Sequence, residues 1–394
     1  MDRTYYCNIK FTKMKIDLEN RTTYNCDAAA PHLIDFDWLE KNPGKLFNNP
    51  TSVAEREQML TNTRNKSCEQ NCWRAEDRNA VSYRMDRQGE KKTHTSAMSS
   101  PEVIDLTLGT DCNLTCSYCC KEFSSRWRRD VLENGAYEFT NPIDNRYEAN
   151  KKDKILNQIS QQKIANSRHF QLLLDEVRLL LKAPTMKKLV LAGGEPFLMN
   201  HLITVLESLE TRPDVIIEFD SGLGVSESRL KRMIPMLEKF PNLFVKISAE
   251  NIHGLHEFNR YGVPFEQFKR NFDLLEQSNI NIGFHSTISN LTINGFRDFH
   301  DYYKDTKIMS WTFAEQPVMM SPHILDQESK DTLVETLKPL PERFYKEAML
   351  AIAKDPSDQD RVSCKEFVLQ FAKRRNLKLD VFPKSFSEWL QLDN

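Results

Sequence analysis

Cys112-Asn113-Leu114-Thr115-Cys116-Ser117-Tyr118-Cys119 is the stretch from which the rest of this chain is read. Its C-x3-C-x2-C spacing follows the apolar run Val103 to Leu108, so the three thiols sit on a loop just past a predicted strand. Three close thiolates hold three irons of a cubane and leave the fourth open to an exogenous ligand, whereas four protein cysteines close the cluster. Structural zinc is the alternative. It takes four ligands, usually as paired C-x2-4-C elements, and the loop offers three, because neighbouring side chains diverge and Cys120 is badly placed as a fourth.

Outward from this loop, short apolar runs alternate with segments of helical period, the pattern of β-α units around a parallel sheet or barrel. Six strands are predicted: Val103 to Leu108, Lys188 to Ala192, Val215 to Phe219, Leu243 to Ile247, Ile280 to Ile288 and Ile308 to Phe313. Helices are expected over Phe170 to Leu181, Ser226 to Leu237, Phe265 to Leu275 and Phe296 to Tyr303. Six units make an α/β fold, an incomplete (β/α)6 TIM-like barrel, assigned to 99–320. A small cysteine-rich module is assigned to 1–98, with strand-like pieces such as Phe11 to Leu18, and a helical extension to 321–394, closing on a short helix from Ser385 to Leu392. The polar stretch from Arg87 to Pro101 reads as an exposed linker between the first two.

At the end of the second barrel strand stands Gly193-Gly194-Glu195-Pro196. Glycines let a ligand approach the backbone, and a carboxylate accepts hydrogen bonds from an ammonium. Barrel active sites collect at the C-terminal ends of the strands, so this segment and the cysteine loop are expected at one mouth. A long charged insertion, Cys120 to Gln162, contains Arg126-Trp127-Arg128-Arg129, read as a solvated helical face in preference to a phosphate or ring contact. His253 and His256 lack a third ligand and are not read as a metal pair.

Lysine plus arginine number 54 against 56 acidic residues, without the basic excess of a dedicated nucleic-acid binder. No run of about 18 apolar residues occurs, and the N-terminus lacks the apolar stretch of a secretory signal, so a cytoplasmic protein without membrane attachment is expected. Nine cysteines are many for a reducing compartment and point to metal or cluster ligation. Cys7, Cys26, Cys68 and Cys72 form a second group, suited by number to a closed cluster or to tetrahedral zinc. Cys364 reads as a small residue in a C-terminal helix.

The paired segments Cys112 to Cys119 and Gly193 to Pro196 resemble the C-x3-C-x2-C loop and GGEP motif of the radical S-adenosylmethionine (SAM) superfamily. The resemblance implies a [4Fe–4S] cluster on Cys112, Cys116 and Cys119, Tyr118 beside the adenine of SAM, and Gly193, Gly194 and Glu195 at its methionyl end. It further implies SAM contacts at Ser248, Glu250, Arg260 and Asn290, although Ser248-Ala249-Glu250-Asn251 departs from the pattern common in relatives and Asn251 equally suits a helix cap. Cys7, Cys26 and Cys68-x3-Cys72-Trp73-Arg74-Ala75-Glu76, with Ser82 and Arg84, resemble the SPASM/twitch module, which implies an auxiliary [4Fe–4S] cluster. Here the module precedes the barrel, an order that resembles twitch-containing radical SAM proteins found notably in phage genomes.

The expected activity is reductive cleavage of SAM to a 5′-deoxyadenosyl radical that removes a substrate hydrogen, with a flavodoxin- or ferredoxin-like electron donor and a peptide or protein as substrate. If phage-encoded, the protein would work in the host cytoplasm. Modification of a nucleotide, an RNA or a small molecule, and a zinc-stabilised binding protein without catalysis, remain the alternatives at this stage.

Overall fold

Strands form where apolar residues alternate inward, and the six predicted barrel strands are found. Leu189 and Leu191, Ile217 and Phe219, and Val245 and Ile247 are each at most 1% exposed. The structure, a computed structural model, describes residues 4–87, 91–141, 145–148, 150, 167–209, 212–306 and 308–391. Its strands are β1 (Lys13–Asp17), β2 (Thr22–Tyr24), β3 (His32–Leu33), β4 (Val103–Thr107), β5 (Thr115–Cys116), β6 (Lys188–Ala192), β7 (Ile216–Ser221), β8 (Leu243–Ser248), β9 (Arg260–Tyr261), β10 (Asn281–Ile288) and β11 (Ile308–Phe313).

The chain divides into two compact units. The first holds the described residues up to Gly109, those from 167 to Phe219, and Lys239–Leu243. In it β4, β6 and β7 are parallel neighbours, and β1 pairs parallel with β4 while pairing antiparallel with β2, which in turn pairs with β3. Lys15 and Asp105 are directly opposite in the β1–β4 register, and Lys15 Nζ lies 3.5 Å from Asp105 Oδ2, an ion pair that favours this register over its neighbours. The expected strand from Phe11 begins later than predicted. Ile9–Thr12 is a turn of helix instead, because the Phe11 ring stacks on Tyr6 and His94 at 5.2 and 5.1 Å.

The second unit holds the described residues from Thr110 to 150, Asp220–Glu238, and those from Phe244 to 391. Here β8, β10 and β11 are parallel neighbours, and the short β5 and β9 pair antiparallel. Helices Arg168–Leu181, Glu227–Leu237, Phe265–Glu276 and Phe296–Tyr302 fall in the gaps between parallel strands where the sequence places them. Ser167 and Ser226 cap the first two by accepting from Phe170 N and Arg229 N. This alternation is the α/β architecture of an incomplete (β/α)6 barrel. The helices Gln327–Leu337, Glu342–Ile352, Asp358–Arg375 and Lys384–Gln391 form its C-terminal extension. Among the described residues, no helix is long and apolar enough to cross a membrane.

The reading of Arg126 to Arg129 as a solvated face is corrected. Helix Ser125–Asn134 buries Trp127, Arg128 and Val131 and exposes Arg126 and Arg129. The Trp127 ring lies among Tyr137, Tyr147, Phe367 and Phe371, with centroids 5.7 to 6.2 Å away, and Arg128 Nη2 donates to Thr110 Oγ1 at 3.1 Å. Residues 151–162 of the expected insertion lie outside the described residues. His253 and His256 both pack edge-on against Phe265, but His253 is exposed whereas His256 is buried with its ring 4.6 Å from that of Phe268. Burial, with Arg260 nearby, lowers the His256 imidazole from 6.5 to about 3.

Replacing Trp127 by alanine is expected to destabilise the fold by about 3–5 kcal/mol, whereas Arg129→Ala should stay within about 0.5 kcal/mol, both read from urea unfolding. Because the unfolded chain protonates His256 near 6.5 and the folded chain only near 3, stability is full above 6.5 and falls as pH drops toward 3. Each pH unit in that window removes up to about 1.4 kcal/mol through this residue. Urea midpoints between pH 7 and 4 should therefore slope less steeply in His256→Phe than in the parent.

Candidate functional site

The cysteine loop is held by backbone pairing. In the β5–β9 pair Thr115 faces Tyr261 and Cys116 faces Arg260. The approach is so close that a Cβ on Gly262, whose φ is +123°, would collide with the Asn113 carbonyl and stand 3.2 Å from Leu114 Cα, which leaves glycine as the residue that fits. Ser117 N and Oγ both bond to Asn259, on its carbonyl and its side-chain oxygen, at 2.8 Å. On the other side Ser124 Oγ donates to the Leu114 carbonyl at 2.7 Å and Trp127 Nε1 to the Cys116 carbonyl at 2.9 Å.

These contacts hold the backbone of the segment that carries the three cysteines. All are free thiols, with Cys116 buried and Cys112 and Cys119 partly open. Burial holds the Cys119 thiol well above its ordinary range, and Cys120, Cys116 and Cys112 add to the rise, as close thiols must. Cys112 Sγ accepts the Leu114 N–H at 3.4 Å. The groups that bear most on Cys120, after its burial, are Glu122 and Arg146.

Behind Cys116 lies a buried ion pair. Arg260 donates to Glu250 through Nε at 3.0 Å and Nη2 at 2.7 Å, with the side chains 4% and 1% exposed. Glu250 Oε1 also accepts Tyr118 Oη and Thr287 N, each at 3.0 Å. Burial works against the guanidinium, yet Glu250 and then Tyr118 and Cys116 hold it well above its ordinary value. Burial likewise keeps the Tyr118 hydroxyl protonated, so it serves as a donor. The remaining guanidinium nitrogen, Nη1, stands 3.9 Å from Cys116 Sγ.

Tyr118, Glu250 and Arg260 are thus gathered beside Cys116. Ser248 ends β8 half-buried, opposite His285 of β10. Asn290, expected as a cofactor contact, is fully buried, its amide nitrogen donating to the Met319 carbonyl at 2.9 Å and to Sγ of Cys364, on helix Asp358–Arg375, at 3.0 Å. Asn251 does not cap the next helix; it bridges Thr292 O and Asn259 Nδ2 at 2.8 and 2.9 Å. Sequence reasoning did not find Trp127, Asn259 or Arg375, whose Nε donates to Thr115 Oγ1 at 3.0 Å. The three-four spacing of Leu114-side serines and Trp127 with Val131 was the available signal for the first; the others depend on distant chain segments.

In the first unit, Gly193 has φ +137°, and a Cβ there would stand 2.6 Å from the Gly109 carbonyl, which also accepts Gly194 N at 3.0 Å. The glycine is therefore required by the turn itself. Glu195 is fully buried and caps the short helix Pro196–Leu198, accepting Phe197 N at 3.2 Å.

The four N-terminal cysteines are also buried and free. Burial pushes Cys7 up to about 12, with Cys26 and Cys68 adding to the rise, and Cys26 up to about 11, with Cys68 and Cys72 adding. Their frame is polar. Arg84 grips Glu76 through two nitrogens at 2.7 Å, donates to the carbonyls of Tyr6 and Thr4, and lies 5.0 Å from the Trp73 ring. Ser82 Oγ joins Glu76 at 2.6 Å. The donors suit soft iron or zinc by type and number. Among the described residues, no three histidine, cysteine or acidic side chains already stand in the arrangement of a metal centre, so the fold supplies the donor sets and the metal would close them.

No family model matches the chain, and no curated protein matches it. Solved structures align over parts of it. Native anSMEcpe with bound AdoMet covers 63% of this chain and 61% of its own length, at 16% identity and TM-score 0.38. Streptococcus suis SuiB bound to precursor peptide SuiA covers 84% of this chain and 70% of its own, at 11% and 0.34. TYW1 with a lysine-pyruvate adduct bound covers 60% and 74%, at 12% and 0.33. The chain thus spans about three fifths of the length of the first of these neighbours, and the site stands on its own geometry.

Proposed function

We propose that the protein is a radical SAM enzyme in which Cys112, Cys116 and Cys119 hold a [4Fe–4S] cluster. The observation that carries this reading is a loop bearing Cys112, Cys116 and Cys119 pinned by β9, with a buried cation beside one of its sulfurs. Held by Cys112, Cys116 and Cys119, such a cluster would supply one electron for reductive cleavage of SAM, the chemistry that yields methionine and a 5′-deoxyadenosyl radical.

The protein's own residues prepare that site. The β5–β9 pair and the Trp127 and Ser124 bonds anchor the backbone of the loop on both sides. Arg260 offsets the negative charge that three thiolates bring into a buried place. Glu250 accepts from Arg260 twice, from Tyr118 Oη and from the Thr287 N–H, which fixes the guanidinium beside Cys116. Tyr118 presents its ring next to the thiols while its hydroxyl is anchored. Gly193, Gly194 and Glu195 are assigned to the methionyl end of SAM, and Ser248 to a polar contact, on the sequence resemblance. Cys7, Cys26, Cys68 and Cys72 are assigned to an auxiliary [4Fe–4S] cluster that takes or relays an electron from the product radical. The substrate class proposed is a peptide or protein, and the electron donor a flavodoxin- or ferredoxin-like protein.

Anaerobic reconstitution is expected to load about eight irons, and replacing Cys112, Cys116 and Cys119 together by alanine to remove about half. The reduced parent should release 5′-deoxyadenosine and methionine from SAM. Zinc in place of iron, with no charge-transfer absorption, would overturn the reading. Replacing Cys68 and Cys72 by alanine should leave SAM cleavage intact while substrate turnover fails, measured on protein shown to be folded by circular dichroism. Turnover at the parental rate in that variant would make the N-terminal site structural.

A further inference from the structure

The Arg260–Glu250 pair is oriented, and its orientation has electrical meaning. Glu250 takes the Nε and Nη2 edge of the guanidinium, at 3.0 and 2.7 Å, and leaves Nη1 aimed at Cys116 Sγ at 3.9 Å. The Nη1 edge of the guanidinium thus faces the Cys116 sulfur, and the carboxylate holds its other edge. Both side chains are buried, and Glu250 Oε1 also accepts from Tyr118 Oη and Thr287 N. A fixed charge in a place of low polarity acts far more strongly than one in water.

We propose, resting on the cluster assignment made above, that Arg260 is a positioning residue that raises the reduction potential of the three-cysteine cluster through Cys116, and that Glu250 sets how far. Adding an electron makes the cluster more negative, so a cation at its ligand favours the reduced form. The carboxylate behind that cation partly cancels it. Cluster potentials respond to net charge, hydrogen bonds to sulfur and burial, and the first two meet at this one guanidinium. The backbone link of Cys116 to Arg260 across β5 and β9 couples sulfur and charge, so their spacing is set by strand pairing and not by a flexible side chain alone.

The two charges predict shifts of opposite sign, which simple loss of structure does not. The test is a redox titration of the reconstituted full chain, followed by the electron paramagnetic resonance signal that changes when SAM is added. In Arg260→Gln the reduced-to-oxidised ratio at a fixed poise should fall about tenfold, equivalent to about 59 mV for one electron. Glu250→Gln should raise the ratio several-fold, and Arg260→Lys, which keeps the charge, should stay near the parent. Unmoved ratios, or shifts in the same direction in both neutral variants, with full iron content, would overturn the proposal while leaving the cluster assignment standing. If Arg260→Gln does not hold its cluster, Glu250→Gln decides alone, and an unchanged or lowered ratio overturns it. A parent protein that takes up no iron removes the cluster assignment and this proposal with it.

Discussion

A guanidinium and a carboxylate enclosed together, Arg260 and Glu250, are the constraint around which the second unit is arranged. A charge taken out of water is tolerated only when a partner and further hydrogen bonds replace the solvent, and removing one member of such a pair commonly costs about 3–5 kcal/mol. Glu250 meets that demand with four donors from three chain segments, namely Arg260 twice, Tyr118 and the backbone of Thr287. The cysteine loop, β9 and β10 are therefore tied by one electrostatic requirement. A shift of any of them would strand a buried charge.

The N-terminal cysteines are supported by related physics with a different layout. Arg84 and Glu76 pair close by, yet the guanidinium spends its other bonds on the carbonyls of Thr4 and Tyr6 and its face on Trp73. A different cation, Lys10, buried with Glu55 at 2.5 Å and Ser67 at 2.7 Å, counters the rise of the Cys26 and Cys68 thiols. Two groups of cysteines in one chain thus lie in different electrostatic settings.

Much of this was legible in the amino-acid order, for reasons that differ by element. Strands with apolar residues turned inward read as short apolar runs, and β6 and β11 fall on their predicted residues while β4, β8 and β10 differ by one at an end and β7 by one and two at its two ends. The cysteine spacing is local and showed itself directly. Signals failed where a partner comes from far along the chain. Asn290 looked like a strand-end polar residue because nothing nearby reveals that helix Asp358–Arg375 brings Cys364 to its amide. The Arg-Trp-Arg-Arg run looked solvated because charge density hides the single position, Trp127, that faces Phe367 and Phe371. Glu195, expected at the methionyl end of SAM, also caps a short helix, which a carboxylate at such a turn can do. Glu250 and Arg260 were expected as SAM contacts, and their mutual pairing is a tertiary fact.

The parallel pairing of β1 with β4 bears on how the protein is made. Lys13 faces Val103 and Asp17 faces Thr107, so β1 has no parallel neighbour until nearly all of the cysteine-rich segment has left the ribosome. Closing so long a loop is slow, and parallel pairing yields no reward before the far strand arrives. During that interval β1 has only its short antiparallel partner β2, and an isolated hairpin is marginal in water. Cys7 and Cys26 flank these two strands and would emerge as solvent-accessible thiols before Cys68 and Cys72 do. Assembly of the N-terminal donor set is thereby placed late in synthesis, after thiols that oxidation can reach have already emerged.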